Sequence, residues 1–200
     1  YNIAPTQEVL AIVRRAGENW LDKFHWGLVP FWAKAVSIGT QLINARSETV
    51  AKKPSFRAAF KKRRCLIPAD GFYEWQGATG TKQPLYLRLP GHKPFAFAGL
   101  WERWTPRDAD AEAYQSCTII TTAASTSVKP IHHRMPVIVK PEKYGRWLDP
   151  ECGDPTRLRD ILENWTVEEL VATPVSKRVN SARNDDPSNI RPLSQMKIDF

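Results

Sequence analysis

Three polar side chains alternate along one short segment of the chain. Asn44, Arg46 and Glu48 are each separated by one residue, and in an extended strand such residues lie on the same face. An amide, a guanidinium and a carboxylate would then form a row, which makes the segment a candidate site. The alternative is an exposed strand face that carries a local ion pair.

A single carboxylate stands between two aromatic residues further along. Glu74 lies between Tyr73 and Trp75, and a carboxylate that is desolvated among rings has a raised pKa, which suits a general acid or base. The alternative is a surface glutamate, since alternation along a strand can also direct Glu74 outward.

Two adjacent histidines precede a short apolar run. His132 and His133 follow a polar stretch and lead into a strand-like segment, a position where functional histidines occur. One of them is a candidate for proton transfer, and a hydrogen-bonded structural histidine is the alternative. Adjacent residues of an extended chain point in opposite directions and no further His/Cys cluster lies nearby, so we expect no metal and no cofactor.

Basic residues concentrate between positions 52 and 64. This run contains Lys52, Lys53, Arg57, Lys61, Lys62, Arg63 and Arg64 without any acidic residue. Together with exposed aromatic side chains, for example one ring of His25–Trp32, such a cluster suits single-stranded nucleic acid. The alternative is a solvated helix face, with Phe56, Ala59 and Phe60 directed inward.

Composition limits the class of protein. The chain has 200 residues, 42% of them hydrophobic, and a net charge of +8, which predicts one folded domain over residues 1–200. It contains three cysteines without CxxC spacing and no long apolar run, so we expect reduced thiols and a cytoplasmic protein without a membrane span. Gly-rich phosphate loops and GxSxG or HExxH motifs are missing.

Strand-like segments outnumber helical ones and do not alternate regularly with them. This pattern predicts an α+β fold with mostly antiparallel strands. The strand predictions are Glu8–Val13, Leu85–Leu89, Phe95–Leu100, Cys117–Thr122, Val137–Val139 and Leu170–Pro174. The helix predictions are Pro54–Arg63, Pro141–Leu148 and Pro155–Asn164, the last with Asp154 as its cap.

Taken together, the ordered motifs resemble the SRAP family, the SOS response-associated peptidase-like, abasic-site-processing proteins. The resemblance covers nearly the whole chain. It rests on Tyr1–Pro5, Trp26–Pro30 with Trp32, Asn44–Thr49, Pro68–Trp75, His132–Pro136, and Pro174–Ser176 with Val179–Asn180.

The resemblance implies a barrel-like sheet flanked by short helices and a chemistry for the site. In that family an N-terminal cysteine condenses with the aldehyde of an abasic site in single-stranded DNA and forms a thiazolidine crosslink, in the DNA damage response. Glu74 and His132 would transfer protons, with Glu74 also assisting autoproteolytic processing of the N-terminus, and Asn44 would hold the adduct. The residues implied to bind DNA are Arg46, Trp32, Pro5 and Asn2. The expected protein is a monomer, nucleoid-associated if bacterial.

Two departures from the family pattern affect these expectations. His133 stands where the family often has Asp, and the chain starts at Tyr1 rather than at the family's Met-Cys-Gly-Arg, which we interpret as a domain lacking its N-terminal segment. Two other functions remain open. One is a noncatalytic single-stranded nucleic-acid-binding module, which needs the basic face and Trp32 but not Glu74 or His132. The other is a thiol peptidase acting on other proteins, for which the sequence shows no oxyanion hole.

Overall fold

The computed structural model describes residues 1–78, 80–106, 112–163 and 170–193. Within these ranges, short helices accompany a larger number of strands. The strands are β1 Glu8–Arg15, β2 Glu18–Trp26, β3 Asn44–Arg46, β4 Arg64–Ala69, β5 Phe72–Gln76, β6 Gln83–Arg88, β7 Phe95–Trp104, β8 Tyr114–Ala123, β9 Arg134–Pro136, β10 Ile138–Val139 and β11 Val171–Pro174. The α-helices are α1 Arg57–Lys62, α2 Tyr144–Leu148 and α3 Pro155–Glu163.

The main sheet closes into a ring. Its order is β10-β7-β4-β1-β2-β8-β3, and β9 pairs with β8. A further pairing between β7 and β8 closes the ring, which consists of the five strands β7, β4, β1, β2 and β8. Among the pairings of the described strands, only β2–β8 and β3–β8 are parallel. The predicted α+β fold with mostly antiparallel strands is therefore confirmed, and the sheet that the resemblance implied to be barrel-like is a ring.

Alternating side chains of the ring strands build two cores. One face contributes Val9, Phe24, Ile67, Phe97 and Ile119 to a cluster that all five ring strands share, which is the interior of the ring. The other face packs beneath the helices, where the cluster includes Phe60, Trp147 and Leu158. The residues Phe56, Ala59 and Phe60 of the first helical region are buried, as the sequence predicts.

The predicted elements agree with the observed ones in place and differ in their ends. Six predicted strands correspond to β1, β6, β7, β8, β10 and β11, and three predicted helices to α1, α2 and α3. Asp154 caps α3 by accepting a hydrogen bond from the Thr156 N–H at 2.8 Å, and Asn164 lies outside the described residues. No helix in the described ranges is both long enough and apolar enough to span a membrane.

Two members of the basic run are structural, and this corrects its interpretation as one cationic surface. Arg64 is buried, and its guanidinium donates to the carbonyls of Phe60, Lys61, Trp147 and Asp149, at the ends of α1 and α2, where carbonyls have no partner within the helix. Arg63 does meet an acid: its Nη2 donates to Glu102 Oε2 at 2.8 Å. The remaining five cations are exposed.

A small sheet of β11, β6 and β5 lies against the ring. Leu85 and Leu87 of β6 join the interior cluster, and Phe72 of β5 packs edge-on against Phe97, with 5.9 Å between ring centroids. Because side chains alternate along a strand, Glu74 lies on the same face of β5 as Phe72. This packing directs Glu74 toward the ring.

Candidate active site

Strand β3 presents two polar side chains at the edge of the main sheet. Asn44 and Arg46 are exposed, while Ala45 between them is fully buried. The parallel pairing with β8 sets Asn44 beside Ile119 and Arg46 beside Thr121. The predicted row of Asn44, Arg46 and Glu48 is therefore confirmed for Asn44 and Arg46 only, because β3 ends at Arg46 and Glu48 lies in the turn that follows.

A close approach of two glycines fixes the start of β3. Gly27 has a φ of +139°, and a Cβ on it would lie 2.6 Å from the carbonyl oxygen of Gly39. No larger residue fits there, because real Cβ atoms do not approach so closely. The Trp26 indole N–H donates to the Ile43 carbonyl at 2.8 Å, so the residue before Asn44 is held as well.

Glu74 lies on the face of β5 that packs against the ring, and its neighbours Tyr73 and Trp75 lie on the opposite face. The Tyr73 hydroxyl donates to the Tyr1 carbonyl at 2.7 Å, and the Trp75 indole N–H donates to Asn180 Oδ1 at 2.8 Å. The flanking rings therefore do not enclose the carboxylate, which corrects that part of the sequence argument. The Glu74 side chain is nevertheless only 20% exposed, and this burial raises the pKa of Glu74 above its usual value, with His132 and Lys82 opposing the shift.

His132 is the imidazole that meets Glu74. Its Nδ1 lies 3.7 Å from Glu74 Oε1, which is an ion-pair distance rather than a hydrogen bond. The same Nδ1 lies 2.9 Å from the Arg134 carbonyl. When Nδ1 carries the proton, that carbonyl accepts it and Nε2 keeps a lone pair for a reacting proton. When Nδ1 is unprotonated, it accepts from the Arg134 N–H at 3.2 Å and Nε2 carries the proton. His133 is exposed, and its ring centroid lies 4.4 Å from that of His132.

An ion pair that the sequence does not reveal joins the turn after β3 to β9. Arg134 donates to both carboxylate oxygens of Glu48, at 2.6 and 3.1 Å, and to the Thr121 carbonyl at 2.6 Å. Glu48 therefore pairs with a residue 86 positions away rather than with Arg46. Within the described ranges, Arg46 has no acidic partner, so its charge is available to a ligand.

The other residues implied to bind DNA occupy three different settings. Trp32 is exposed in the loop after β2, and Pro5 is exposed in a turn where the Thr6 N–H donates to the Trp26 carbonyl at 2.8 Å. Asn2 is buried, and its amide donates to the carbonyls of Val179, Ser181 and Asn184. Asn2 therefore anchors the N-terminal segment to the protein, and its side chain does not face DNA.

The three cysteines are reduced and buried. Burial raises the pKa of Cys117 to about 12 and also raises that of Cys65 well above its usual value. A thiol that stays protonated is a poor nucleophile, so Cys65 and Cys117 are inert. In the described part of the chain no three His, Cys, Asp or Glu side chains are grouped so that they could hold a metal ion.

The ring fold and the polar site define a protein of a known sequence family. The family described as SOS response associated peptidase (SRAP) matches residues 1–182. The Bacillus subtilis abasic site processing protein YoqW is 44% identical over 95% of this chain and 84% of its own length. The chicken abasic site processing protein HMCES is 35% identical over 89% of this chain and 59% of its own length. The chain belongs to the SRAP family.

Solved structures agree with this assignment. A protein from Bacteroides thetaiotaomicron matches 94% of this chain and 82% of its own, with a TM-score of 0.82 and 28% identity. A protein from Bordetella bronchiseptica matches 87% of this chain and 86% of its own, with a TM-score of 0.75 and 29% identity.

Proposed function

We propose that this protein processes abasic sites in DNA, in single-stranded form, by forming a covalent adduct with the sugar. The observation that carries the proposal is the pairing of a desolvated Glu74 with His132 at 3.7 Å. The names of the relatives YoqW and HMCES support abasic sites as the substrate. The exposed Arg46, which has no acidic partner in the described ranges, supports a phosphate-bearing ligand.

The proposed reaction joins an amine and a thiol to the aldehyde of the ring-opened abasic sugar. The amine attacks the aldehyde carbon and one water leaves as the imine forms; the thiol then adds to the imine carbon and closes a thiazolidine. Both groups must belong to one terminal cysteine, as the family resemblance implies. Cys65, Cys117 and Cys152 are internal, so their nitrogens are amides that cannot form an imine.

The side chains of the site divide the remaining tasks. Glu74, whose pKa is raised by burial, exchanges protons with the amine and the leaving water, and His132 Nε2 serves the opening and closing of the sugar. Asn44 hydrogen-bonds the adduct, and Arg46, two residues along the same face, binds the adjoining phosphate. Pro5 and Trp32 shape the path of the strand.

Two further properties belong to the same proposal. Glu74 assists removal of the residue that precedes the terminal cysteine, so the amine becomes free only after processing. The protein acts as a monomer on chromosomal DNA in the damage response, and a peptidase activity on other proteins is not needed for that role.

A denaturing gel tests the proposed function. Full-length protein beginning with cysteine is incubated with three labelled oligonucleotides of one sequence: single-stranded with an abasic site, duplex with an abasic site, and single-stranded and intact. We expect a heat-stable shifted band mainly with the first. The same protein with that cysteine replaced by serine is the control. Equal bands from abasic and intact DNA would refute the proposal.

The noncatalytic binding module makes a different prediction in the same assay. The exposed Lys52, Lys53, Arg57, Lys61 and Lys62 favour nucleic-acid binding by themselves. A pure binding module would shift all single strands in a native gel and none in a denaturing gel. It would also be indifferent to Glu74→Gln.

A further inference from the structure

Strand β5, which carries Glu74, lies at the edge of the small sheet. It pairs with β6 alone, and its other edge makes no backbone–backbone hydrogen bond with the described residues. Its position relative to the ring therefore depends on side-chain contacts. This position matters for the proposed chemistry, because Glu74 Oε1 lies 3.7 Å from His132 Nδ1. A displacement of about 1 Å in a reacting group can slow a reaction about 100-fold.

Residues 176–190, which we call the strap, cover the face of β5 that points away from the ring. Val175, just before the strap, is fully buried, and Ile190, at its end, is partly buried. Both pack in one cluster with Tyr73 and Trp75, the two side chains that β5 directs away from the ring. Strand β5 is therefore held between the ring on one face and the strap on the other.

The strap has an anchor of its own, which does not depend on β5. The buried Asn2 amide donates to the carbonyls of Val179 and Ser181, both at 3.1 Å. These two residues come directly before and after Asn180, so the backbone is fixed on each side of Asn180. A side chain held in this way can serve as a fixed point for a neighbouring strand.

One hydrogen bond connects this fixed point to β5. The Trp75 indole N–H donates to Asn180 Oδ1 at 2.8 Å, and Trp75 directly follows Glu74. Asn180 is exposed, and its side chain makes no other hydrogen bond with the described residues. Removing its acceptor should therefore let β5 shift without opening a cavity in the core.

We propose that Asn180 is a positioning residue for the reaction, which acts through Trp75 and holds the Glu74 carboxylate at its place beside His132. This inference rests on the proposed function. Asn180 makes no hydrogen bond to Glu74 or His132, so its role is to fix the strand and not to exchange protons. The strap is then a support of the active site as well as a cover of the small sheet.

The test measures single-turnover crosslinking of an abasic single strand over a range of protein concentrations, with the full-length protein. Asn180→Leu removes the acceptor of the indole N–H, and Asn180→Asp keeps an acceptor oxygen. Arg178→Gln is the matched control, because it removes an ion pair inside the strap, to Asp186 at 3.2 Å, and Arg178 makes no hydrogen bond or ion pair with β5. Each variant is also made in a Glu74→Gln background.

We expect Asn180→Leu to lower the maximal rate about tenfold, which corresponds to the loss of one hydrogen bond. The protein concentration that gives half the maximal rate should stay unchanged, and Asn180→Asp and Arg178→Gln should react like the unchanged protein. In the Glu74→Gln background, Asn180→Leu should cause no further loss, because its effect passes through that carboxylate. A merely structural loss would slow both backgrounds equally.

Carbon-13 NMR of the Glu74 carboxyl gives a second readout, which does not depend on crosslinking. Burial raises the pKa of Glu74, and the charges of His132 and Lys82 oppose the shift. In Asn180→Leu the displaced strand should admit water to this carboxyl, so its titration midpoint should move down toward the ordinary value of 4.5. Asn180→Asp should keep the midpoint of the unchanged protein.

Several results would overturn the inference. They are an unchanged maximal rate in Asn180→Leu, an equal loss in the Glu74→Gln background, or an equal loss in Arg178→Gln. If Asn180→Leu does not fold, Trp75→Phe, which keeps a ring and removes the N–H, must show the same loss and the same dependence on Glu74. Failure of the proposed function is distinct, because no protein would then crosslink abasic DNA. The Glu74 titration would still decide: a midpoint lowered only in Asn180→Leu supports the positioning role, and equal midpoints contradict it.

Discussion

The affinity for DNA should depend on salt in a way that Arg46 controls. Arg46 is exposed on β3, and Glu48, the acid that could neutralise it, is occupied by both terminal nitrogens of Arg134. We therefore expect Arg46 to neutralise one phosphate. One such contact in a single strand contributes about 0.7 to the slope of log K against log salt concentration. A rise from about 50 to 200 mM salt should then shrink the affinity advantage of the unchanged protein over Arg46→Gln by roughly 2.6-fold.

Fluorescence anisotropy of a labelled single strand at four or more salt concentrations measures this slope. Arg14→Gln is the matched control, because Arg14 pairs with Asn19 near the tip of the β1–β2 hairpin. Only the far end of β2 reaches β8, where His25 pairs with Ser116, whereas Arg46 pairs with Thr121 further along β8, so the tip lies away from Arg46. We expect Arg14→Gln to keep the original slope. Identical slopes for Arg46→Gln and the unchanged protein would remove Arg46 from the phosphate site, and an equal decrease in Arg14→Gln would show a diffuse charge effect instead.

Three further predictions follow from the same geometry. Glu74→Gln and His132→Ala should slow crosslink formation about 100-fold in single-turnover gels while the anisotropy affinity stays unchanged; full-rate crosslinking by both variants would return these residues to a structural role. Because burial raises the pKa of Glu74 above its ordinary value of 4.5, the folded state holds that proton more tightly than the unfolded chain. The stability that this proton contributes is complete below pH 4.5 and is lost as the pH rises through the folded-state pKa. Urea unfolding should therefore show that the free energy of unfolding of the unchanged protein falls relative to that of Glu74→Gln over this pH interval. The same pH dependence in both proteins would contradict this. Arg64→Met should lower the free energy of unfolding by at least about 3 kcal/mol, since it leaves four carbonyls without their charged donor. Lys62→Met, at an exposed position, should lower it by less than about 0.5 kcal/mol. Similar losses in both variants would refute the assigned role of Arg64.

Local patterns were sufficient to predict much of the fold. The β-type runs Phe95–Leu100 and Cys117–Thr122 and the helical spacing in Pro155–Asn164 are properties of short segments, so the sequence indicates them, although both strands extend further in the structure. The closure of the ring through β7 and β8 follows from long-range pairing instead. The basic run shows the same limit, because only the tertiary structure places Glu102 beside Arg63 and buries Arg64.

The arrangement of the candidate residues was predictable only in part. Alternation placed Asn44 and Arg46 on one face, because a strand fixes that periodicity, but it failed for Glu48, because the strand ends at Arg46. It could not decide which face of β5 meets the ring, and so the proximity of Glu74 to His132 came from the packing of Phe72 on Phe97. The Arg134–Glu48 pair spans 86 positions, and nothing in either local segment indicates it.

Mass spectrometry of the crosslink identifies the residue that forms the covalent bond with the abasic sugar. Full-length protein beginning with cysteine is reacted with an abasic single strand, and the product is digested with protease and nuclease. We expect one modified peptide, the N-terminal one, whose mass is that of the cysteine peptide plus the ring-opened sugar fragment minus one water. An adduct on a peptide containing Cys65, Cys117 or Cys152, or on a lysine, would contradict it.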